Sequence, residues 1–537
     1  MPVKTAVFRA ARSVFSARLH AVLVAALMLT AALLAPAASA ASAATLVAIV
    51  SERSSEGMAE TAKRHVARYP NDRLVFRTSE QMDAMSAEEL QKLLASADAL
   101  LLANLFKDSA QRILPLVDTL PARTVIAVAG DTALGRRSRW QGQPLFTADD
   151  PLYDELSSAK TDTASSAAWV REASRQHARQ APWIAARGYW QNRGDNNLLA
   201  LFAQLLNKPD IAPVEDARAL RLLWRDAAIA PEQLARSGSR TLVAVLDQER
   251  ADEETGRAIC AALDARQLDC VQVRARWGEA SRDALQVLRR HAGTRLGAVI
   301  SLQDFLIGGS SHSREASALI EQLDVPVLKG IRLHDVTADA WRASAQGLAW
   351  DSVYYRASMP ELQGVSQGIV VATATPLGVD ALTGLAVSRV APLPAQIQQL
   401  TARAARWTRL RTLKNADKQL ALVYYNHPPG RHNIGADNLD VPASLLQILQ
   451  NLKKAGYDTG PLPATPELLL EQLQRDGINL PEHNDALRAM AKRVTTLPAS
   501  AYASWFSTLP SAIRGEVERG PLGRLQAAVD AALKARA

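Results

Sequence analysis

Short runs of uninterrupted apolar residues, separated by amphipathic helical patterns, limit what this chain can fold into more than any other feature. Residues 45–51 (TLVAIVS), 74–78, 99–106 (ALLLANLF) and 124–130 (TVIAVAG) form one series, with helical periodicity at 54–68, 86–96 and 108–117. A second series begins at 241 (TLVAVLDQ) and continues through 269–274, 297–302 (GAVISL) and 325–329, with helical patterns at 253–266, 280–291 and 312–323. Strands that are apolar on both faces must be covered on both faces, and alternation with helices makes them parallel. The predicted fold class is therefore α/β: several Rossmann-like or flavodoxin-like parallel-sheet units with helical insertions. The GxGxxG turn of a dinucleotide site is missing after the first strand, where Ser51-Glu52-Arg53-Ser54 stands, so a dinucleotide role is not expected.

The same patterns divide the chain. Residues 1–43 read as an export signal, 44–150 as an N-terminal α/β domain, 151–235 as mainly helical, and 236–391 as a second α/β domain. The last region, 392–537, opens with a long helix at 392–413 and carries a strand–loop–helix stretch at 420–463. Trp169, Trp183, Trp190 and Trp224 are spread through the helical part; packing anchors are the expected role, a flat ligand wall the alternative. Gly308-Gly309-Ser310 before a helix is expected to be a tight turn with a serine cap rather than an anion cradle. Ser86 followed by Glu89 predicts a capping box.

Lys4, Arg9, Arg12 and Arg18 precede the apolar run 21–34, Pro36 breaks it, and ASA triplets follow at 38–40 and 41–43. That is the order of a cleaved signal peptide, and the run is short for a bilayer span, which needs about 20 residues. The expected location is a bacterial periplasm; the alternative is an inner-membrane anchor formed by an uncleaved signal. Cys260 lies in a helical pattern and Cys270 in a strand. Two buried free thiols are expected of them, with a disulfide allowed in an oxidising compartment.

The densest group of ligand-type side chains lies between the strand 420–425 and the helix 441–454, a helix expected to bury Leu445, Ile448, Leu449 and Leu452. A loop at the carboxyl end of a strand is where open α/β sheets hold ligands. Tyr425, Asn426, His427, Arg431, His432, Asn433 and Asp437 are accordingly the candidate substrate-binding residues. His427 and His432 are spaced too loosely to define a metal site, and no residue-level pattern names a catalytic group. GxxxxGK[ST], GxSxG, HExxH and EF-hand patterns are absent, so the chain shows no ATP site of its own. Net charge is +8, from 62 basic against 54 acidic residues, without a basic block interleaved with aromatics; no nucleic-acid partner is expected.

The stretch ALVYYNHPPGRHNIGADNLDVPASLLQILQNLKKAGYD resembles the large subunit of tetrapyrrole metal chelatases, CobN of aerobic cobaltochelatase and the H subunit of magnesium chelatase. YWQNRGDNNL, WRASAQGL, MPELQG and YASWFSTLP are similar to further elements of that family. Asp440 stands where the family has Asn, and Gln363 where it has Asp. The resemblance implies a portion of a large subunit that inserts a divalent metal into, or removes it from, a porphyrin or corrin ring, with cobalt, magnesium or iron as substrate. It implies a tetrapyrrole macrocycle as partner, a further polypeptide carrying the C-terminal half, and ATPase chelatase subunits only if the chain stays in the cytoplasm. The family's HGxxExxPGK-type motif does not occur here, so no catalytic residue carries over, and the chain reads as truncated. A tetrapyrrole- or metal-binding protein without catalysis, or an inactive truncated product, is the alternative expectation.

Overall fold

The computed structural model describes residues 43–536 except 160–165, 210, 217–219, 250–251, 426–433, 435–437, 477–482, 493 and 495. The chain divides into two compact units, Met1–Arg411 and Thr412–Ala537.

The first unit is built on two sheets. The first contains β1 (Thr45–Val50), β2 (Arg73–Thr78), β3 (Ala99–Ala103), β4 (Thr124–Val128) and the short β5 (Arg139–Trp140) and β6 (Gln143–Pro144), in the order β2-β1-β3-β4-β5-β6. Its first four strands are parallel. Leu46 to Val50 are all 0% exposed, as expected of a strand covered on both faces. Each Leu, Val or Ile side chain among them contributes about 1.5–3 kcal/mol by leaving water. The predicted capping box forms: Glu89 N–H donates to Ser86 Oγ at 3.2 Å, and Ser86 N–H to Glu89 Oε2 at 2.8 Å.

The second sheet contains β7 (Leu220–Trp224), β8 (Ala227–Ile229), β9 (Leu242–Gln248), β10 (Asp269–Ala275), β11 (Leu296–Ser301), β12 (Val327–Thr337), β13 (Val365–Val379) and β14 (Ala386–Pro392). Its order is β14-β13-β12-β11-β9-β10-β7-β8. The middle five strands are parallel, and β14 and the β7–β8 hairpin are antiparallel additions at the edges. In both sheets the first parallel strand, β1 or β9, lies between its two successors. That places a topological switch point beside each, the position from which such sheets bind ligands.

The hairpin β13–β14 reaches across to the first sheet. Phe76 N–H donates to the Thr383 carbonyl at 3.0 Å, Gln81 Nε2 to the Gly384 carbonyl at 3.0 Å, and Leu385 joins the apolar core around β1 and β3. Gly384 has φ +74, and a Cβ there would fall 2.5 Å from Arg77 Nη1, so this turn requires glycine.

Several sequence expectations are corrected. The strand expected at 325–329 begins at Val327 and runs on to Thr337, and Lys329 and Arg332 within it have buried carboxylate partners. Within the stretch read as mainly helical, β7 and β8 extend the second sheet. Cys260 and Cys270 are not free thiols but a disulfide: the helix Glu253–Asp264 packs on β10 and brings their Cα atoms to 5.3 Å, within bonding range.

In the second unit the helix Val441–Lys454 forms as expected, capped by Asp440 Oδ1, which accepts from Ala443 N–H at 3.0 Å. Its buried residues are Val441 and Leu446, whereas Ile448 is exposed and Leu445, Leu449 and Leu452 are half-buried. The strand expected at 420–425 is irregular, with Leu420, Leu422, Val423 and Tyr425 exposed. A strand needs a ladder partner, and both sheets of the described residues lie in the first unit. The family-like element YASWFSTLP lies largely in a helix, Ala499–Ser507.

Candidate functional site

The carboxyl ends of β1, β9, β10 and β11 and the middle of β12 converge on a cleft of about 470 Å³ within the first unit, a volume suited to an ordinary small-molecule ligand. Glu52 and Arg53 follow β1, Gln248 and Glu249 lie at the end of β9, Arg276 and Trp277 follow β10, Leu302 and Asp304 follow β11, and Arg332 and His334 project from β12. Trp190, Arg193 and Asp195 close another side, from the end of the helix Ala181–Gln191 and the start of the helix Asp195–Leu205.

Two buried charge clusters lie beneath the cleft. In the first, Asp304 meets Lys329 Nζ at 3.2 Å, Arg53 Nη2 at 3.3 Å and Arg356 Nε at 3.9 Å. Burial pushes the Asp304 carboxyl up, but Lys329, Arg53 and Arg356 outweigh it and hold the group below the usual carboxylate range. Burial pulls the Lys329 ammonium down, opposed by Asp304; Nζ also donates to the Gln303 carbonyl at 2.7 Å. In the second cluster Arg332 is bound by Asp247 and by Asp252 at 2.7 Å; burial opposes its charge, and the two carboxylates raise its pKa. Asp252 is shifted down: burial works against ionisation, and Arg332 and the Thr255 amide more than reverse it.

His334 sits between the clusters. Burial first, then Arg53 and Arg332, hold its imidazole well below its usual range, so it is neutral at pH 7. Among the described residues no group of three or more His, Cys, Asp or Glu is arranged to hold a metal ion.

The apolar lining is Met58, Leu198, Leu302 and Val390 together with Trp190 and Trp277. Trp190 is 1% exposed, donates from Nε1 to Asn104 Oδ1 at 3.2 Å, and has the Arg193 guanidinium 4.9 Å from its ring centroid. Trp183 has the anchoring role expected, buried with Nε1 on the Ala127 carbonyl at 2.9 Å. The Gly308 turn is not an anion cradle: Ser281 Oγ accepts from Gly308 N–H at 2.9 Å and Gln363 Oε1 from Ile307 N–H at 2.8 Å. Nor does a serine cap the following helix.

Of the candidate residues from the sequence, Tyr425 is an exposed residue of the second unit. Asn426, His427, Arg431, His432, Asn433 and Asp437 lie outside the described residues. The cleft residues were not singled out, although a signal for them existed: Lys329 and Arg332 stand inside an otherwise apolar strand, VLKGIRL, where a charge demands a buried partner.

The two mostly parallel sheets and the charged cleft at the ends of their strands make this an α/β protein. A family model described as CobN/Magnesium Chelatase matches residues 187–523. The chain belongs to this family. Curated relatives include the chloroplastic magnesium-chelatase subunit ChlH of Oryza sativa subsp. indica, 35% identical over 214 residues, which are 38% of this chain and 15% of that one. The aerobic cobaltochelatase subunit CobN of Pseudomonas aeruginosa is 32% identical over 212 residues, 37% of this chain and 16% of that one. The match thus spans less than a fifth of these relatives' length. Among solved structures, the catalytic subunit of cobaltochelatase from Mycobacterium tuberculosis aligns at TM-score 0.46 and 20% identity, covering 88% of this chain and 35% of that one.

Proposed function

We propose that this chain is part of a chelatase large subunit, one that holds a tetrapyrrole while a divalent metal ion (cobalt, magnesium or iron) is inserted or withdrawn. The observation that carries this reading is the family match over 187–523, which includes every cleft wall supplied by the second sheet. The element YWQNRGDNNL supplies Trp190, Arg193 and Asp195 to the cleft, and Gln363 of MPELQG donates to the Ile307 carbonyl at 2.9 Å behind it.

Metal insertion requires removal of two pyrrole protons and stripping of water from the ion, which calls for a base, oxygen or nitrogen ligands and an apolar wall. Tyr425, Asn426, His427, Arg431, His432, Asn433 and Asp437 are proposed to orient the ligand, and a second polypeptide is proposed to complete the site. Support for that partner comes from the second unit, where Tyr502, Trp505, Ile513, Val517, Leu522 and Leu525 are exposed. We further propose export to the periplasm; the basic and apolar order of residues 4–43 and the Cys260–Cys270 disulfide support it. ATPase subunits enter this reading only for a chain retained in the cytoplasm.

The test is titration of the chain with porphyrin and corrin substrates, followed by addition of divalent ions, with and without the C-terminal half of a homologous subunit. Saturable absorbance changes are expected. No binding to any macrocycle in either condition overturns the proposal. Cell fractionation and the mass of the mature chain test export; a full-length mass in the membrane fraction would establish the anchored alternative.

A further inference from the structure

An aromatic surface at the rim of the cleft is used by neither charge cluster. Phe305 stacks on Tyr355 with centroids 4.9 Å apart and planes 19° apart, and Trp277 stands 6.0 Å from Phe305. The three rings come from separate places: the turn after β10, the turn after β11, and a π-helical turn, Tyr354–Ser358. Polar bonds fix them where burial does not. Trp277 Nε1 donates to the Leu306 carbonyl at 3.0 Å, and Phe305 N–H to the Tyr355 carbonyl at 2.8 Å.

Two details are at odds with a purely packing role. Trp277 and Phe305 remain 43% and 44% exposed, so the fold gains little from their area. Phe305 also has φ +62, a left-handed conformation that a bulky side chain rarely adopts and that glycine would take without strain. Local strain together with a π turn is a pattern that gathers at ligand sites.

Cations exceed carboxylates beside these rings. Arg53, with a side chain 37% exposed, shares Asp304 with Lys329 and Arg356. Arg276, next to Trp277, meets the neutral acceptors Ser166 Oγ at 3.2 Å and Asn192 Oδ1 at 3.3 Å. A flat aromatic face bordered by arginines of surplus charge is complementary to a planar π system that carries ionised carboxylates.

We propose that the rim formed by Trp277, Phe305 and Tyr355 holds one face of a tetrapyrrole, with the macrocycle's carboxylate side chains directed to Arg276 and Arg53. The proposal rests on the chelatase-family reading for its ligand class and adds the place of binding. The full chain is titrated with protoporphyrin, a dicarboxylate, and with its dimethyl ester; the readouts are the porphyrin absorbance band and tryptophan quenching. Phe305→Gly is expected to keep or raise the melting temperature while weakening protoporphyrin binding by about threefold to tenfold, the range of one aromatic pair. Trp277→Leu is expected to weaken binding similarly, and the diester to bind more weakly than the acid. If the unaltered chain binds protoporphyrin and both variants bind it equally well, the rim is not the site, while the family reading stands. If the unaltered chain binds no tetrapyrrole, with or without the C-terminal half of a homologous subunit, both fall. Should Phe305→Gly lower the melting temperature, Trp277→Leu decides alone.

Discussion

Asp304 is a single carboxylate that pairs with two buried cations, Lys329 and Arg356, and with the exposed Arg53. Its replacement by asparagine keeps the shape and removes the carboxylate paired with Lys329 and Arg53, while Arg356 keeps Asp335 at 3.5 Å. Removing one member of such a buried set costs about 3–5 kcal/mol, so Asp304→Asn should lower the urea midpoint with the slope of the transition unchanged. His334 sets a pH dependence of known sign. Its folded pKa lies below the ordinary value of 6.5, so the unfolded chain binds the proton first. Stability should therefore hold above that value and decline as pH falls through it, with a limiting slope of about 1.4 kcal/mol per pH unit for one proton. His334→Gln should flatten the melting temperature between pH 7.5 and 5.5; an unchanged decline would show that other groups cause it. Arg53, Arg332, Arg356 and Asp304 are the charges around this imidazole.

At the scale of elements, the parallel strands were legible because continuous apolar runs bounded by amphipathic helices leave few alternatives, and β1, β3, β4, β9 and β11 fall where those runs do. The hairpin β13–β14 was legible only in part. Its outer half carries Pro376, Gly378 and exposed Leu377 and Val379, which read as a turn, and its role comes from contacts with residues about 300 positions earlier. The cleft was missed for a related reason: each wall contributes one or two charged residues, unremarkable singly, and only the fold collects them. The candidate loop at 426–437 drew notice because its polar residues are adjacent in sequence, which says nothing about which distant groups share a site. The Cys260–Cys270 disulfide closes a ten-residue separation, worth about 3 kcal/mol in the chain-entropy description. Cys260→Ser with Cys270→Ser should lower stability by that order, and adding reductant to the unaltered chain should reproduce the loss. If neither moves the denaturation midpoint, the bond is not formed in the folded protein. Gly384→Val, which puts a branched side chain at φ +74 against Arg77, should loosen the hairpin from the first sheet and raise amide exchange at Phe76.

For the whole molecule, the division at Arg411 predicts that a fragment ending there keeps both sheets, the cleft and the disulfide. Residues 44–411 should fold with a single cooperative transition and retain any ligand affinity that belongs to the cleft or its rim. Affinity confined to the longer chain would assign binding to the second unit. The hairpin β13–β14 also constrains the order of events during synthesis. Residues 383–389 complete the surroundings of Ser55, Glu56, Phe76 and Gln81, so the amino-terminal sheet makes its last contacts only after some 390 residues have been translated. Until then its apolar edge near Leu385 stays open, and the nascent chain has a long interval in which a chaperone or a translocation channel can engage it before that sheet locks.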